Sequence, residues 1–224
     1  MTDIRDNYGL GDFRIAEPPP PTDESLLRRR IGTALSRITD RMVRADVDTA
    51  ELEAVAQALE AVAARTEGYG RRSQSEIYTR LFQRTATRQD VLDILDYEIF
   101  TGRATPISPP MELWLDGDVV RGRANLGLPF QGPPGRVHGG VIAAMLDVLM
   151  AKTQDLTRTM GVTGTLSIRY IRATPLKTDI AMEARVLRTE GRKLFCEGRF
   201  FVNGEQTVHA EGVWIAMRDV QRGA

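Results

Sequence analysis

The chain has 224 residues, with 30 basic and 30 acidic side chains and a formal net charge of zero. This balance gives no electrostatic reason to expect a nucleic-acid or acidic-membrane partner. The single cysteine excludes an intramolecular disulfide framework and a cysteine-based zinc cluster, and two histidines, His138 and His209, are too few for an imidazole-rich metal site.

No apolar run approaches the roughly 18 residues needed to cross a bilayer, so stable membrane insertion is not expected. The first six residues include acids where a secretory signal peptide needs a basic start and an apolar core. We therefore expect a soluble, cytoplasmic protein. The length fits one large domain, or one ordinary domain of about 120 residues with an extension.

Residues 1–24 are polar and end near four consecutive prolines, Pro18 to Pro21. Proline fixes an extended backbone and cannot lie inside a helix. This segment is predicted to be a flexible or extended arm, with a proline-motif ligand as the alternative. It precedes a helical extension over residues 25–104.

The helical extension begins with an apolar stripe on one helix face, formed by Leu27, Ile31, Leu35, Ile38 and Met42. The helix breaks near residues 46–48, where Asp48 and Glu51 resemble a capping box. A second helix then carries another stripe, formed by Leu52, Val55, Leu59 and Val62. Each helix is expected to pack its apolar face on something else.

A third helical stretch is predicted from about Gln74 to Tyr97, with a possible break at Thr87, whose hydroxyl can cap the turn leading to Asp90. Residues 1–105 contain 15 basic and 18 acidic side chains. A DNA-binding surface usually needs more positive charge. No nucleic-acid partner is therefore expected.

After residues 105–110, which are rich in proline, the apolar period changes from that of a helix to that of a strand. A hairpin around Asp116-Gly117-Asp118 is followed by a strongly apolar helix from Gly139 to about Thr153. Four further strands are predicted: Val162–Ile171, Asp179–Arg188, Lys193–Val202 and Gln206–Met217. This order predicts an α+β domain over residues 105–219, with a curved antiparallel sheet wrapped around one central helix.

The start of the central helix carries the most informative motif, His138-Gly139-Gly140. Glycines allow close approach of a ligand to the first helical amides, which lack intrahelical acceptors and can stabilise an oxyanion. Asp147 lies in the same apolar helix, where a carboxylate is costly unless it is paired, exposed at a cleft or used in chemistry. A helix-to-loop hydrogen bond is the alternative role for Asp147.

Eight residues separate Gly139 from Asp147, which is about 12 Å along a helix axis. One helix therefore cannot readily bring both groups to the same carbonyl carbon. Two antiparallel copies across a two-fold axis can, with Gly139 of one subunit facing Asp147 of the other. The sequence thus predicts a composite site in a homodimer, or in a dimer of dimers.

The His-Gly-Gly helix start, the Asp nine residues after His138 and the order of elements resemble the hotdog-fold acyl-CoA thioesterases. The similarity is greatest to the phenylacetic-acid-degradation (PaaI) type and its thioesterase-superfamily-member-4 relatives. The stretches 132–140 and 163–176 are similar to that group as well. The resemblance covers residues from about 104 to 217.

This resemblance implies hydrolysis of acyl-CoA without a metal or other cofactor, with CoA entering only as part of the substrate. Asp147 matches the catalytic carboxylate, acting as general base or nucleophile, and the Gly139 amide matches the group that polarises the thioester carbonyl. His138 matches a residue that supports the loop or contacts substrate. Thr163 matches a hydroxyl that positions the attacking water.

Other substrate contacts are expected from Gly140 and from the cations Arg136, Arg192 and Lys193, which are equally explicable as solvated turn charges. Some relatives carry Asn or Gln six residues before the motif histidine, where this chain has Gly132; the adjacent Gln131 is the candidate substitute. His209 and Cys196 are expected to be structural.

A non-catalytic hotdog protein is the alternative hypothesis. Such a protein binds acyl-CoA or another lipid and acts in regulation or assembly through its N-terminal helices. Release of free thiol from acyl-CoA distinguishes the two hypotheses.

Overall fold

The computed structural model describes residues 18–83, 85–157, 159 and 161–216. Within the described residues, four helices precede the sheet: α1 (Asp23–Met42), α2 (Thr49–Thr66), α3 (Gln74–Phe82) and α4 (Arg88–Asp96). The predicted breaks near residues 46–48 and at Thr87 are both confirmed. The α1 helix begins two residues earlier than expected, because the Thr22 side chain accepts a hydrogen bond from the Ser25 amide.

The proline segment is only partly within the described residues. Pro19 is buried, and the Arg88 guanidinium of α4 donates hydrogen bonds to the carbonyls of Pro20 and Pro21. The prediction for residues 1–17 lies outside the described part of the chain. None of the described helices combines the length and apolarity that a bilayer crossing demands.

Helices α3 and α4 share a small apolar core of Ile77, Leu81, Ala86 and Val91. A capping box starts α4: the Thr87 side chain accepts from the Asp90 amide, and the Asp90 carboxylate accepts from the Thr87 amide. Burial alone raises the pKa of Asp90, but hydrogen bonds from Arg80 and Thr87 outweigh it and lower that pKa from its ordinary value. The two helices are therefore joined by charge as well as by apolar contact.

Most of the apolar stripe of α1 stays exposed among the described residues, so the predicted packing partner of this face is not part of the described structure. The face that docks carries Ser25, Arg29 and Gly32, while the stripe residues Leu27 and Ile31 are exposed to solvent. The reason is steric, because Gly32 lies directly against the backbone of Ala104. Only a helix face that carries no side chain at this position can approach so closely. The docking face of α1 is therefore selected by steric fit and not by the apolar pattern.

Gly32→Ala tests this close approach. Alanine normally stabilises a helix interior by about 0.5–1 kcal/mol relative to glycine, but a Cβ at Gly32 would lie 2.5 Å from the Ala104 carbonyl oxygen. We expect a net loss of about 1–3 kcal/mol, as for other overpacked contacts. Thermal unfolding measures the effect, and Gly70→Ala is the control because no atom lies within 4 Å of its Cβ position. A raised melting temperature for Gly32→Ala would contradict the steric explanation.

In the described part of the chain, six strands form one antiparallel sheet: β1 (Met111–Asp116), β2 (Val119–Ala124), β3 (Gly161–Tyr170), β4 (Ile180–Glu190), β5 (Lys193–Val202) and β6 (Glu205–Ala216). Their order across the sheet is β1-β2-β4-β5-β6-β3. Helix α5 (Gly139–Ala151) packs on the concave face, where Met145, Leu146 and Leu149 contact a core that includes Phe200 and Trp214. The predicted α+β hotdog fold is confirmed.

Two short elements were not predicted: a 3₁₀ turn at Leu128–Phe130 and helix α6 (Gln154–Thr157). Both lie in stretches too short to show a helical period. The β3 strand lies at one edge of the sheet, so its outer side carries no neighbouring strand among the described residues. Thr163 lies on this edge strand.

Candidate active site

His138 is the N-cap of α5, and its ring determines which backbone amide is available at the helix start. The His138 Nδ1 atom accepts a hydrogen bond of 2.9 Å from the Gly140 N–H. An accepting Nδ1 places the proton of the neutral ring on Nε2, which leaves Nε2–H as a donor. The Gly139 N–H has no acceptor among the described residues. Gly139 is therefore the open donor at this positive helix end.

The loop before the motif is built closely around His138. The Phe130 carbonyl accepts from the His138 amide at 2.9 Å, and Gln131 and Val137 form an isolated β-bridge. A Cβ at Gly132 would lie 2.9 Å from the His138 Cα. This close contact explains why the chain has Gly132 where some relatives carry Asn or Gln, because a longer side chain there would collide with His138.

Gln131, the candidate substitute, has its side-chain oxygen engaged within this loop. Its Oε1 accepts from the Gly135 N–H at 3.3 Å. Gly135 has a φ of +72°, a left-handed conformation that glycine adopts without strain. The side chain of Gln131 therefore braces the turn that leads to His138.

Asp147 and Thr163 meet in the structure. The Thr163 Oγ1 donates a hydrogen bond of 2.8 Å to the Asp147 Oδ1, linking α5 to β3. A register shift between Thr163 and Thr165 adds one residue, Gly164, to β3 opposite β6. Bulges of this kind redirect side chains. One Asp147 oxygen is thus bound by the hydroxyl, and the carboxylate is only half-buried.

Sequence reasoning missed Tyr170, at the far end of β3 from Thr163. The Tyr170 hydroxyl donates a 2.8 Å hydrogen bond to the Gly139 carbonyl, and its ring carbon Cζ lies 3.5 Å from a Cβ position at Gly139. The signal available in the sequence was weak, since an aromatic residue in an alternating strand is typical of any sheet. In the structure, Tyr170 fixes the Gly139–Gly140 peptide, which directly follows the free N–H group of Gly139.

The three cations expected to contact substrate lie at two separate places. Arg192 and Lys193 follow the β4–β5 turn, where Lys193 aligns with Ile215 of β6, and Ile215 in turn aligns with Val162, beside Thr163. The Arg192 guanidinium donates to the Ala216 carbonyl at 3.2 Å. Arg136 lies instead in the exposed loop before His138. The structure therefore does not bring Arg136 together with the other two in one chain.

The two residues expected to be structural have ordinary packing environments. The His209 Nε2 lies 3.5 Å from a Glu197 carboxylate oxygen. Cys196 is fully buried, 3.0 Å from the Thr153 hydroxyl, and burial raises the pKa of its thiol. Within the described residues, no three His, Cys, Asp or Glu side chains cluster in a way that would hold a metal ion.

Comparison with known proteins finds a family match for the motif-bearing part of the chain. Residues 134–209 match the sequence model of the Thioesterase superfamily. This segment contains His138, Gly139, Asp147, Thr163 and Tyr170. Residues 134–209 are thus similar in sequence to the Thioesterase superfamily, and they lie within the hotdog fold.

The chain is similar over part of its length to curated acyl-coenzyme A thioesterases. It is 35% identical to mouse THEM4 over 92 residues, which is 41% of this chain and 40% of the mouse protein. It is 32% identical to human THEM5 over 90 residues, which is 39% of this chain and 36% of the human protein. The chain therefore matches about two fifths of the length of these relatives.

The similarity to a solved structure extends beyond residues 134–209. A crystal structure described as a thioesterase superfamily protein is 28% identical, with a TM-score of 0.71. The match covers 89% of this chain and 97% of that chain. It therefore includes helices that precede the sheet.

Proposed function

We propose that the protein hydrolyses acyl-CoA thioesters to a free acid and CoA. The observation that supports this most is the 2.8 Å hydrogen bond from Thr163 to Asp147, within a region that is similar in sequence to the Thioesterase superfamily and that also presents an open helix-terminal amide at Gly139. Curated relatives of this region are named acyl-coenzyme A thioesterases. A carboxylate with a bound hydroxyl and a separate oxyanion donor are the two parts that thioester hydrolysis requires.

The Gly139 N–H is proposed to bind the thioester carbonyl oxygen. Negative charge develops on this oxygen when the carbonyl carbon is attacked, and a helix N-terminus stabilises it. Because His138 Nδ1 holds the Gly140 amide, one donor faces the oxygen rather than two. Gly140 then contributes by its small size and by fixing the histidine ring.

Asp147 is proposed to act on the carbonyl carbon from the partner subunit. The Thr163 hydroxyl occupies Oδ1, which leaves Oδ2 to accept a proton from water as the water attacks. The tetrahedral intermediate then expels the CoA thiolate, which takes up the proton. Direct attack by Asp147 through an acyl anhydride is the other route, and water then hydrolyses the anhydride.

A homodimer is proposed because the two halves of the site lie about 12 Å apart along α5. The ten-residue β3 strand lies at the sheet edge of the described chain, and Val162 and Tyr170, near its two ends, are exposed. An unpaired edge of this length is a ready template for pairing with another strand. Antiparallel pairing of two β3 strands about a two-fold axis would bring Gly139 of one subunit toward Asp147 of the other.

The phosphates of CoA are proposed to contact cations from both subunits. Arg192 and Lys193 lie near the Asp147 end of α5, whereas Arg136 lies near the Gly139 end. A two-fold dimer would place Arg136 of one chain beside the other two cations of its partner. Their individual contributions should be modest, since all three are exposed.

The test of the proposed function is release of free thiol from a panel of short, long and aromatic acyl-CoAs. Hydrolysis of at least one class, with matching release of acid, is the expected result. Tight binding of acyl-CoA by the wild type without thiol release would instead favour the non-catalytic binding protein.

Tyr170→Phe is expected to lower kcat about fivefold, because one hydrogen bond of about 1 kcal/mol to the Gly139 peptide is lost. KM should change little, since Tyr170 positions the amide that acts mainly on the transition state. Steady-state thiol release measures both constants. Tyr69→Phe is the matched control, because Tyr69 is exposed in the loop after α2. An unchanged kcat in Tyr170→Phe would remove this positioning role.

A further inference from the structure

The side of α1 that docks on the rest of the chain carries small and polar residues at helical spacing. This docking row consists of Ser25, Arg29, Gly32, Ser36 and Asp40. At its start, the Asp96 carboxylate of α4 accepts hydrogen bonds from the Ser25 hydroxyl and the Arg29 guanidinium. The row thus fixes the beginning of α1 against the helical half of the chain.

The other end of the docking row reaches the loop that leads to His138. Gly32, in the middle of the row, lies against Ala104, and Asp40, near the end of the helix, lies against Gly127. Gly127 directly precedes the 3₁₀ turn at Leu128–Phe130, and α1 contacts this turn as well. One helix therefore joins α4 to the loop before the motif.

The absence of a side chain at Gly127 is explained by Asp40. Gly127 has a φ of −87° and a ψ of −170°, an extended conformation that any residue adopts. A Cβ there would lie 2.5 Å from the Asp40 Oδ1, whereas it would lie 3.7 Å from Pro129 Cδ, an ordinary contact. The backbone therefore does not require glycine at this position, but the carboxylate of α1 does.

Two hydrogen bonds lead from Gly127 to the start of α5. The Gly127 carbonyl accepts from the Phe130 amide at 3.2 Å, and the Phe130 carbonyl accepts from the His138 amide at 2.9 Å. His138 in turn holds the Gly140 amide through its Nδ1 atom, which leaves the Gly139 N–H as the open donor. A displacement of the turn would therefore be passed on to this donor.

The hotdog domain supplies the other supports of the loop. The Leu126 carbonyl accepts from the Lys177 amide before the turn, and Phe130 packs on the core of the domain. The turn is thus held by α1 at Gly127 and by the core at Phe130. The contact with α1 is a support that comes from the helical extension and not from the hotdog domain.

We infer that α1 positions the candidate active site: Asp40, through Gly127 and the 3₁₀ turn, sets the place of the Gly139 N–H. The inference rests on the proposed thioester hydrolysis, in which this N–H binds the carbonyl oxygen. Such a donor must lie within about 0.5 Å of its productive position, and an error of about 1 Å can lower the rate up to a hundredfold. Asp40 is thus a positioning residue that acts through the His138 loop.

Gly127→Val tests the contact by filling the space that Asp40 occupies. The turn and α1 should move apart, so kcat should fall about tenfold, while KM should change little because the donor acts mainly on the transition state. Asp40→Ala in the same chain removes a carboxylate of similar size and should restore kcat to within about twofold of the wild type. Gly70→Val is the matched control, since no atom lies within 4 Å of its Cβ position.

Amide hydrogen exchange at Gly140 gives a readout that does not depend on hydrolysis. The Gly140 N–H is protected by its 2.9 Å hydrogen bond to the His138 Nδ1. Its exchange should be about tenfold faster in Gly127→Val and should return toward the wild-type rate in Gly127→Val/Asp40→Ala, because the loop recovers its place. Gly127→Ala, a smaller change at the same position, should accelerate exchange about threefold, and it replaces Gly127→Val if the larger side chain prevents folding.

Three results would overturn the inference. The first is wild-type kcat and wild-type Gly140 exchange in the Gly127 variants, even if their melting temperature falls, because α1 would then only stabilise the fold. The second is a loss of kcat that Asp40→Ala does not relieve, which would assign the effect to the turn alone. The third is a rise in KM with unchanged kcat. Absence of thiol release by the wild type would contradict the proposed function instead, and the Gly140 exchange rates would still decide whether α1 positions the loop.

Discussion

Replacing Asp147 with Asn is expected to lower kcat for acyl-CoA hydrolysis by about a thousandfold, the middle of the range for loss of a catalytic acid or base. The amide keeps the size of the side chain and can still accept the 2.8 Å hydrogen bond from Thr163, but it cannot take a proton from water or attack the carbonyl. Thiol release at saturating substrate measures the effect. Light scattering should show an unchanged oligomeric state.

Asp118→Asn is the matched control for this experiment, because Asp118 is an exposed carboxylate in the β1–β2 turn. Its kcat should equal that of the wild type. Activity of Asp147→Asn close to the wild-type value would remove Asp147 from the mechanism. Thr163→Val should have a smaller effect, about tenfold, because it removes one hydrogen bond to a charged group and leaves the carboxylate in place.

The two routes open to Asp147 are separable by a single-turnover reaction in heavy-oxygen water. If Asp147 attacks the thioester, hydrolysis of the anhydride can place the heavy oxygen in its own carboxylate. If Asp147 acts as a base, the label enters only the free acid. Mass spectrometry of the peptide that contains Asp147 distinguishes them.

Arg29→Met is expected to destabilise the protein by about 3 kcal/mol. It leaves the Asp96 carboxylate, whose side chain is only 4% exposed, without its cation, and breaking a buried pair costs about 3–5 kcal/mol. The lower end applies because Arg29 is 19% exposed. For a chain of this size the melting temperature should fall by about 6–12 °C. Hydrogen exchange should show the largest loss of protection in α1.

Two further variants make this prediction specific. Arg123→Met breaks an ion pair with Glu112 in which both side chains are exposed, Arg123 by 69% and Glu112 by 58%. The loss of stability should be less than about 1 kcal/mol. Arg29→Met/Asp96→Asn should recover part of the loss, because a neutral amide no longer requires a cation. Equal effects of Arg29→Met and Arg123→Met would show that the Asp96 pair does not anchor α1.

Much of the fold follows from local patterns in the sequence. The period of the apolar residues distinguishes the helical half from the strand half, and short-range capping sets the helix starts at Asp48 and Thr87. These features depend on neighbours three or four residues away, so a linear reading finds them. The motif at His138 and the carboxylate at Asp147 were found for the same reason.

The arrangement of the candidate site needed the tertiary structure. The Tyr170 hydroxyl reaches the Gly139 carbonyl across 31 positions of sequence, and Gly132 lies against His138 because the loop folds back on itself. The choice of Gly139 over Gly140 as the open amide depends on the orientation of one imidazole ring. None of these contacts leaves a periodic signal along the chain.

The sequence by itself determined the order of helices and strands, the motif and the carboxylate, because backbone geometry and side-chain period act over a few residues. Only the tertiary structure decided that α1 docks by its small side at Gly32 and leaves most of its apolar stripe exposed among the described residues. The physical reason is that close packing selects the face that fits the neighbouring backbone, whereas a hydrophobic pattern shows only which face must find a partner.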